Sequence, residues 1–174
     1  MSILNALRST IGWVAERNMS SRELIKFLKA ERLKRVSRRR NARFVLAHPN
    51  EPLPPLDLMV DAHAHADYEE YFVSGRRHAR LFLDMFNRHF DLGRQPPVRM
   101  FEWGCGPGRI LRHMHADCSA RTVSLLAGDY NAKSIDWCRR AFPDIEFFVN
   151  GVAPPLPLPS TSIDITYARS CLRT

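Results

Sequence analysis

"FEWGCGPGR", residues 101–109, places glycines at 104, 106 and 108, behind Glu102 and at the end of a short apolar run. Glycine at that density marks main chain that turns sharply or comes close to a ligand. VRMFEW (98–103) before it has the pattern of a strand, and PGRILRHMH (107–115) after it that of a helix. Further on, RTVSLLAGD (121–129), IEFFV (145–149) and SIDITYA (162–168) read as strands, with NAKSIDWCRRAF (131–142) as a helix between the first two. Strands alternating with helices of this length imply βαβ units and a parallel sheet. The expected fold is α/β, a Rossmann-like parallel sheet of about four strands with a helical N-terminal extension.

The spacing narrows the ligand. A dinucleotide loop wants GxGxxG or GxGxxA, and the third small position falls on Arg109. A phosphate-binding Walker loop needs Gly-Lys followed by Ser or Thr, which is absent. What remains is an acid followed by three alternating glycines. A second carboxylate about 20 residues on would suit ribose hydroxyls, and LLAGDYN (125–131) supplies Asp129 with Tyr130 beside it. One carboxylate facing a vicinal diol can accept from both hydroxyls. A third segment, NGVAPPLPLPSTSIDITYA (150–168), precedes and includes the last strand.

Glu102 with its glycines, Asp129 and the LPLP…SID segment, in that order, resemble the class I S-adenosylmethionine-dependent methyltransferases over about residues 68–170. The resemblance implies transfer of a methyl group from S-adenosyl-L-methionine to an acceptor, with a small molecule, lipid or glycan favoured. It implies that Glu102 holds the methionine ammonium and that Gly104, Gly106 and Gly108 admit the cofactor to the backbone. Cys105 is then a small cofactor-binding residue of the same loop, not a nucleophile. Asp129 grips the ribose and Tyr130 packs on adenine. The family's aspartate at position 152 is Val152 here, so Asn150 stands as the nearest polar substitute. No catalytic base and no metal are assigned. Amino-group methylation of bases uses Asn/Asp-Pro-Pro-aromatic, where this chain has Ala168-Arg169-Ser170, and Cys171 follows Ser170 instead of a proline. The family's sheet has seven strands, so four before Thr174 imply C-terminal truncation, with strands five to seven and much of the acceptor pocket missing.

The net charge is +8, and it is uneven: residues 1–47 hold twelve Lys or Arg against three Glu. Residues 21–47 read as a basic amphipathic helix, broken near RRRN (38–41), whose apolar stripe packs on the main domain or whose charges meet an anionic surface. HPNEPLPPLDL (48–58) reads as a proline-rich connector. Tyr68 to Leu92 reads as a helix interrupted at Ser74-Gly75. The expected organisation is an extension and connector over 1–58, a helical lead-in over 59–97 and the methyltransferase-like part over 98–174. No apolar run approaches the roughly 20 residues of a membrane span. The N-terminus has no secretory pattern, and four scattered cysteines suit reduced thiols in the cytoplasm.

Two readings compete. One is a non-catalytic truncated module that uses the basic helix on RNA or membrane. The other is a metal-dependent hydrolase through Asp61, His63 and His65 of VDAHAHAD (60–67), which would share one face of a strand. A loop ending in Asp67 as the cap of the following helix explains the same residues.

Overall fold

The computed structural model describes residues 20–92, 96–118, 123–153 and 155–169. The N-terminal nineteen residues, and Cys171 with the rest of 170–174, lie outside them. Four parallel strands form one sheet: β1 (Val98–Trp103), β2 (Val123–Asp129), β3 (Glu146–Val149) and β4 (Ile165–Ala168), in the order β3-β2-β1-β4. Met100 pairs with Leu125 on one side and Ile165 on the other. The chain thus steps outward from β1 through β2 to β3, then returns to the far side of β1. Open α/β sheets hold their ligands at the carboxyl ends of the strands beside such a reversal. The Rossmann-like expectation stands.

Alternation along the strands sends one set of side chains to a helical layer. Met100, Ala127, Phe147 and Tyr167 pack there against α3 (Tyr68–His89), α4 (Leu111–Cys118) and α5 (Ala132–Ala141). Leu83, Phe86, Leu111, Met114 and Ile135 are the buried helical partners, each contributing about 1.5–3 kcal/mol by leaving water. On the other face, Phe101 stacks on Phe148 with ring centres 5.2 Å apart.

The first helix, α1 (Ser21–Ala47), starts at a capping box between Ser20 and Glu23. It runs unbroken through RRRN. Its expected apolar stripe is only partly used: Ile25, Leu28 and Val36 are exposed, whereas Phe27, Leu33 and Phe44 are half-buried, and Phe44 packs on Phe72 with ring centres 5.0 Å apart. The buried residues are Ser37 and Asn41. Asn41 donates to the Ala66 carbonyl at 2.7 Å and accepts from the Tyr68 amide at 3.0 Å. Lys34 pairs with Asp57, and Arg40 with Asp67 at 2.8 Å. Polar groups therefore join the apolar contacts of Phe44 in fixing the helix.

The connector ends earlier than 58. A short helix, α2 (Leu56–His63), follows Pro55 and stops at Ala64, which has φ of 56°. Asp61 and His63 are helical, so the shared strand face required by the metal reading does not exist. Among the described residues no group of three His, Cys, Asp or Glu could hold a metal ion. Asp67 caps α3 as expected, accepting from the Glu70 amide at 3.2 Å.

Ser74-Gly75 does not interrupt α3. Gly75 is there because the next layer is close: a Cβ on it would sit 2.1 Å from the Arg109 carbonyl oxygen. One turn earlier, the Tyr71 hydroxyl donates to the Pro107 carbonyl at 2.6 Å. The helix thus lies directly on the glycine loop.

Gly75→Ala sets two effects against each other. Helix propensity favours alanine by about 1 kcal/mol, but overlap with a fixed carbonyl costs about 1–3 kcal/mol or more. The overlap wins, and Tm falls by several degrees at roughly 2–4 °C per kcal/mol. A rise in Tm by differential scanning calorimetry would remove this contact from the fold.

Candidate functional site

The loop after β1 is tied down at each peptide. Gly104 and Cys105 donate their amides to the Gly128 carbonyl at 2.8 and 3.1 Å. The Gly106 amide donates to Asp129 Oδ2 at 2.8 Å, and the Asn131 amide to Oδ1 at 2.8 Å. Asn150 donates its amide to the Asp129 carbonyl at 3.1 Å. Gly104, Gly106 and Gly108 have φ of 71°, 52° and 75°, the left-handed region that excludes most side chains. Gly106 has a second reason, since a Cβ there would lie 3.1 Å from the Ala62 methyl of α2.

Above this loop opens a crevice of about 730 Å³. Every strand delivers a residue to its wall: Gly104 after β1, Tyr130 after β2, Asn150 after β3 and Arg169 after β4. Another wall is the end of α2 and the turn after it, from Asp61 to His65. Of the residues expected at the site, Gly104, Gly106, Asp129, Tyr130 and Asn150 line the crevice. Tyr130 is 64% exposed, its ring open to a ligand. Asn150 is buried, with Nδ2 donating to the Gly151 carbonyl at 2.7 Å and Oδ1 without a partner.

Glu102, Cys105 and Gly108 sit behind the wall. Glu102 is 3% exposed and accepts from the Tyr167 hydroxyl at 3.3 Å. Burial pushes its carboxyl up to about 8, against the opposing pull of Tyr167 and of the Arg109 charge. The Cys105 thiol is raised well above its ordinary value, first by hydrogen bonding with Cys138 and then by burial. Gly108 faces the Phe142 ring, 3.2 Å from where a Cβ would be, so its smallness serves packing.

The α2 wall and two arginines are what sequence reading missed. His63, the last residue of α2, and His65, just past its Ala64 stop, face the crevice with ring centres 5.9 Å apart. Burial, then the charge of Arg109, holds His63 down at about 3, so its ring is neutral near pH 7. Its Nε2 has no partner. Asp61 accepts from Asn131 Nδ2 at 2.9 Å, joining α2 to the start of α5. Arg109 and Arg169 enter from below and from β4. The usable signal was Leu56, Met59, Val60 and His63 after Pro54-Pro55, a helical spacing behind a proline start.

Residues 101–174 match the family profile described as Methyltransferase domain. No curated protein matches the chain. Among solved structures, the CMeT domain of the citrinin polyketide synthase is 25% identical with a TM-score of 0.44, over 53% of this chain and 26% of that one. The plantazolicin methyltransferase BpumL, in complex with SAH, is 16% identical with a TM-score of 0.47, over 64% and 40%. A TehB-like SAM-dependent methyltransferase from Corynebacterium glutamicum is 17% identical with a TM-score of 0.35, over 56% and 55%. The chain spans between about a quarter and about half of the length of these structures.

Glu102 makes stability depend on pH in a known direction. Its ordinary value is 4.5 and its folded value about 8. Below 4.5 both states carry the proton. Between the two values the folded chain keeps a proton that the unfolded chain releases, so stability falls as pH rises, by up to about 1.4 kcal/mol per pH unit. Glu102→Gln removes that slope. In urea melts from pH 5 to 8, the variant gains steadily on its parent, whereas parallel profiles would sink the assignment. His63 and His113, lowered to about 3 and about 4, lose stability in the opposite direction, as pH falls below 6.5. Being common to both proteins, they cancel in the difference.

Proposed function

We propose that this chain, matched over 101–174 by a methyltransferase-domain profile, binds S-adenosyl-L-methionine in the strand-end crevice and belongs to an enzyme that methylates an acceptor there. One observation carries the reading: a glycine loop in left-handed conformation opens the wall after β1, while Asp129 lines the same crevice after β2. A volume of about 730 Å³ lies in the range of cofactor pockets, roughly 300–1,000 Å³. When bound, the cofactor supplies an electrophilic methyl group on a sulfonium sulfur.

The chain's own residues hold and orient. The Asp129 carboxylate, already fixed by two amides, keeps lone pairs for the two ribose hydroxyls. Tyr130 offers an open ring for adenine. The unpartnered Oδ1 of Asn150 is an acceptor suited to the adenine amino group, in place of the missing aspartate at 152. Glu102, which the resemblance assigns to the methionine ammonium, lies beneath the loop. In this reading it supports the loop, through Tyr167 and the Leu111 amide. Holding donor and acceptor together accounts for up to about 7–11 kcal/mol of such a barrier. A small molecule, lipid or glycan is the proposed acceptor class. The exposed arginines of α1, such as Arg35, Arg38, Arg39 and Arg43, favour contact of that helix with an anionic surface.

Calorimetric titration of the chain with adenosylhomocysteine tests this. One-to-one binding is expected, weakened about 10–100-fold by Asp129→Asn, the scale of a lost hydrogen bond to a charged group. No heat from folded parent protein would leave the non-catalytic module in its place.

A further inference from the structure

The crevice is electrically divided. Asp61 and Asp129 stand at the α2 and β2 side, whereas Arg109 and Arg169 stand at the side of α3 and β4. Two guanidiniums sharing one wall repel each other, and Arg109 is depressed from its ordinary value first by burial and then by the Arg169 charge. The arrangement is nevertheless held by specific bonds. Arg109 Nη1 donates to Ser74 Oγ at 3.1 Å. His78 lies between the two arginines: Nδ1 is 2.5 Å from the Ser74 carbonyl and 3.3 Å from Arg109 Nη1, and Nε2 is 2.5 Å from Arg169 Nη1. Both arginines are therefore braced by α3. Arg109 Nε is buried with no hydrogen-bond partner, and among the described residues no carboxylate lies within ion-pair distance of Arg109. A half-buried guanidinium with an orphaned N–H, in the field of a second one, is costly unless an anion arrives.

We propose that Arg109 and Arg169 form a subsite for the anionic group, carboxylate or phosphate, of the methyl acceptor. This rests on the methyltransferase reading and narrows it to acidic acceptors. The guanidinium fork matches the planar or tetrahedral oxygens of such groups bidentately. The position also suits the acceptor better than the cofactor. Asp129, Tyr130 and Asn150 serve the nucleoside from β2 and β3, while Arg169 follows β4, on the far side of β1.

The test uses the whole chain at fixed ionic strength, with inorganic phosphate and acetate as probes and tryptophan fluorescence as the readout, since Trp103 lines the crevice. Saturable binding of at least one probe is expected, and its preference tells a phosphoester acceptor from a carboxylic acid. Arg169→Gln, at an exposed position, should raise the dissociation constant of that probe at least fivefold and change that of adenosylhomocysteine less than twofold. Arg109→Lys, which keeps the charge and loses the fork, should weaken the probe as well. Unsaturable signals from both probes, or an Arg169→Gln protein that binds them as its parent does, would overturn the proposal. So would a fivefold loss of adenosylhomocysteine with methylthioadenosine unaffected, because the arginines would then hold the cofactor's own carboxylate. If adenosylhomocysteine fails to bind the parent while an anion does, the methyltransferase reading falls and the anion subsite stands.

Discussion

The Gly106 amide and the Asp129 carboxylate are 2.8 Å apart, and that bond joins the turn after β1 to the end of β2. It forms only because residue 106 can hold a φ of 52° beneath Ala62. With the loop in that place, the Pro107 carbonyl reaches Tyr71 and the Arg109 carbonyl reaches the bare face of Gly75. Asp129 is in turn oriented before any ligand arrives, so little ordering remains to be done on binding. Loop, acid and overlying helix are thus one constraint met in three places.

A second tie brings the N-terminal helices to the sheet domain. The Arg112 guanidinium lies 4.6 Å over the Phe72 ring, 5.2 Å over Tyr71 and 5.5 Å over Phe142. It also donates to the Pro52 carbonyl at 2.5 Å. Burial lowers its pKa, a cost that ring contacts of about 0.5–2 kcal/mol each offset in part. Through this one side chain α4 grips both α3 and the proline connector. The Tyr68 hydroxyl, donating to the Pro54 carbonyl at 3.0 Å, fixes the same connector from the other end.

The sheet was legible because its signals are local. An apolar strand, a glycine turn and a following helix announce themselves within about 20 residues, and all four strands fall where the alternation put them. The loop residues on the crevice wall were legible for the same reason. The break expected at Ser74-Gly75 misread a residue whose smallness answers to Arg109, 34 positions away, and no local rule could reveal that. Asn41 shows the same limit: it reads as a helix breaker, yet its side chain bridges to Ala66 and Tyr68. The alternating Asp61, His63 and His65 misled by their period of two, when the apolar residues around them keep a helical one. Arg109 was noticed only as the residue that spoils a dinucleotide motif. Its place in the crevice depends on α3 lying over the loop, which is a tertiary fact.

Arg109 also couples the two sides of that loop. Its charge favours the ionised form of Glu102 below, and Glu102 favours the charged form of Arg109 above. Above a pH of about 8, where Glu102 is ionised, the two charges attract across the glycine turn with no ion pair formed between them. An anion placed on Arg109 from the crevice competes for the same field. It screens the Arg109 charge from Glu102, and so favours the protonated carboxyl. Since linkage is reciprocal, a protonated Glu102 leaves more of the Arg109 charge for the anion.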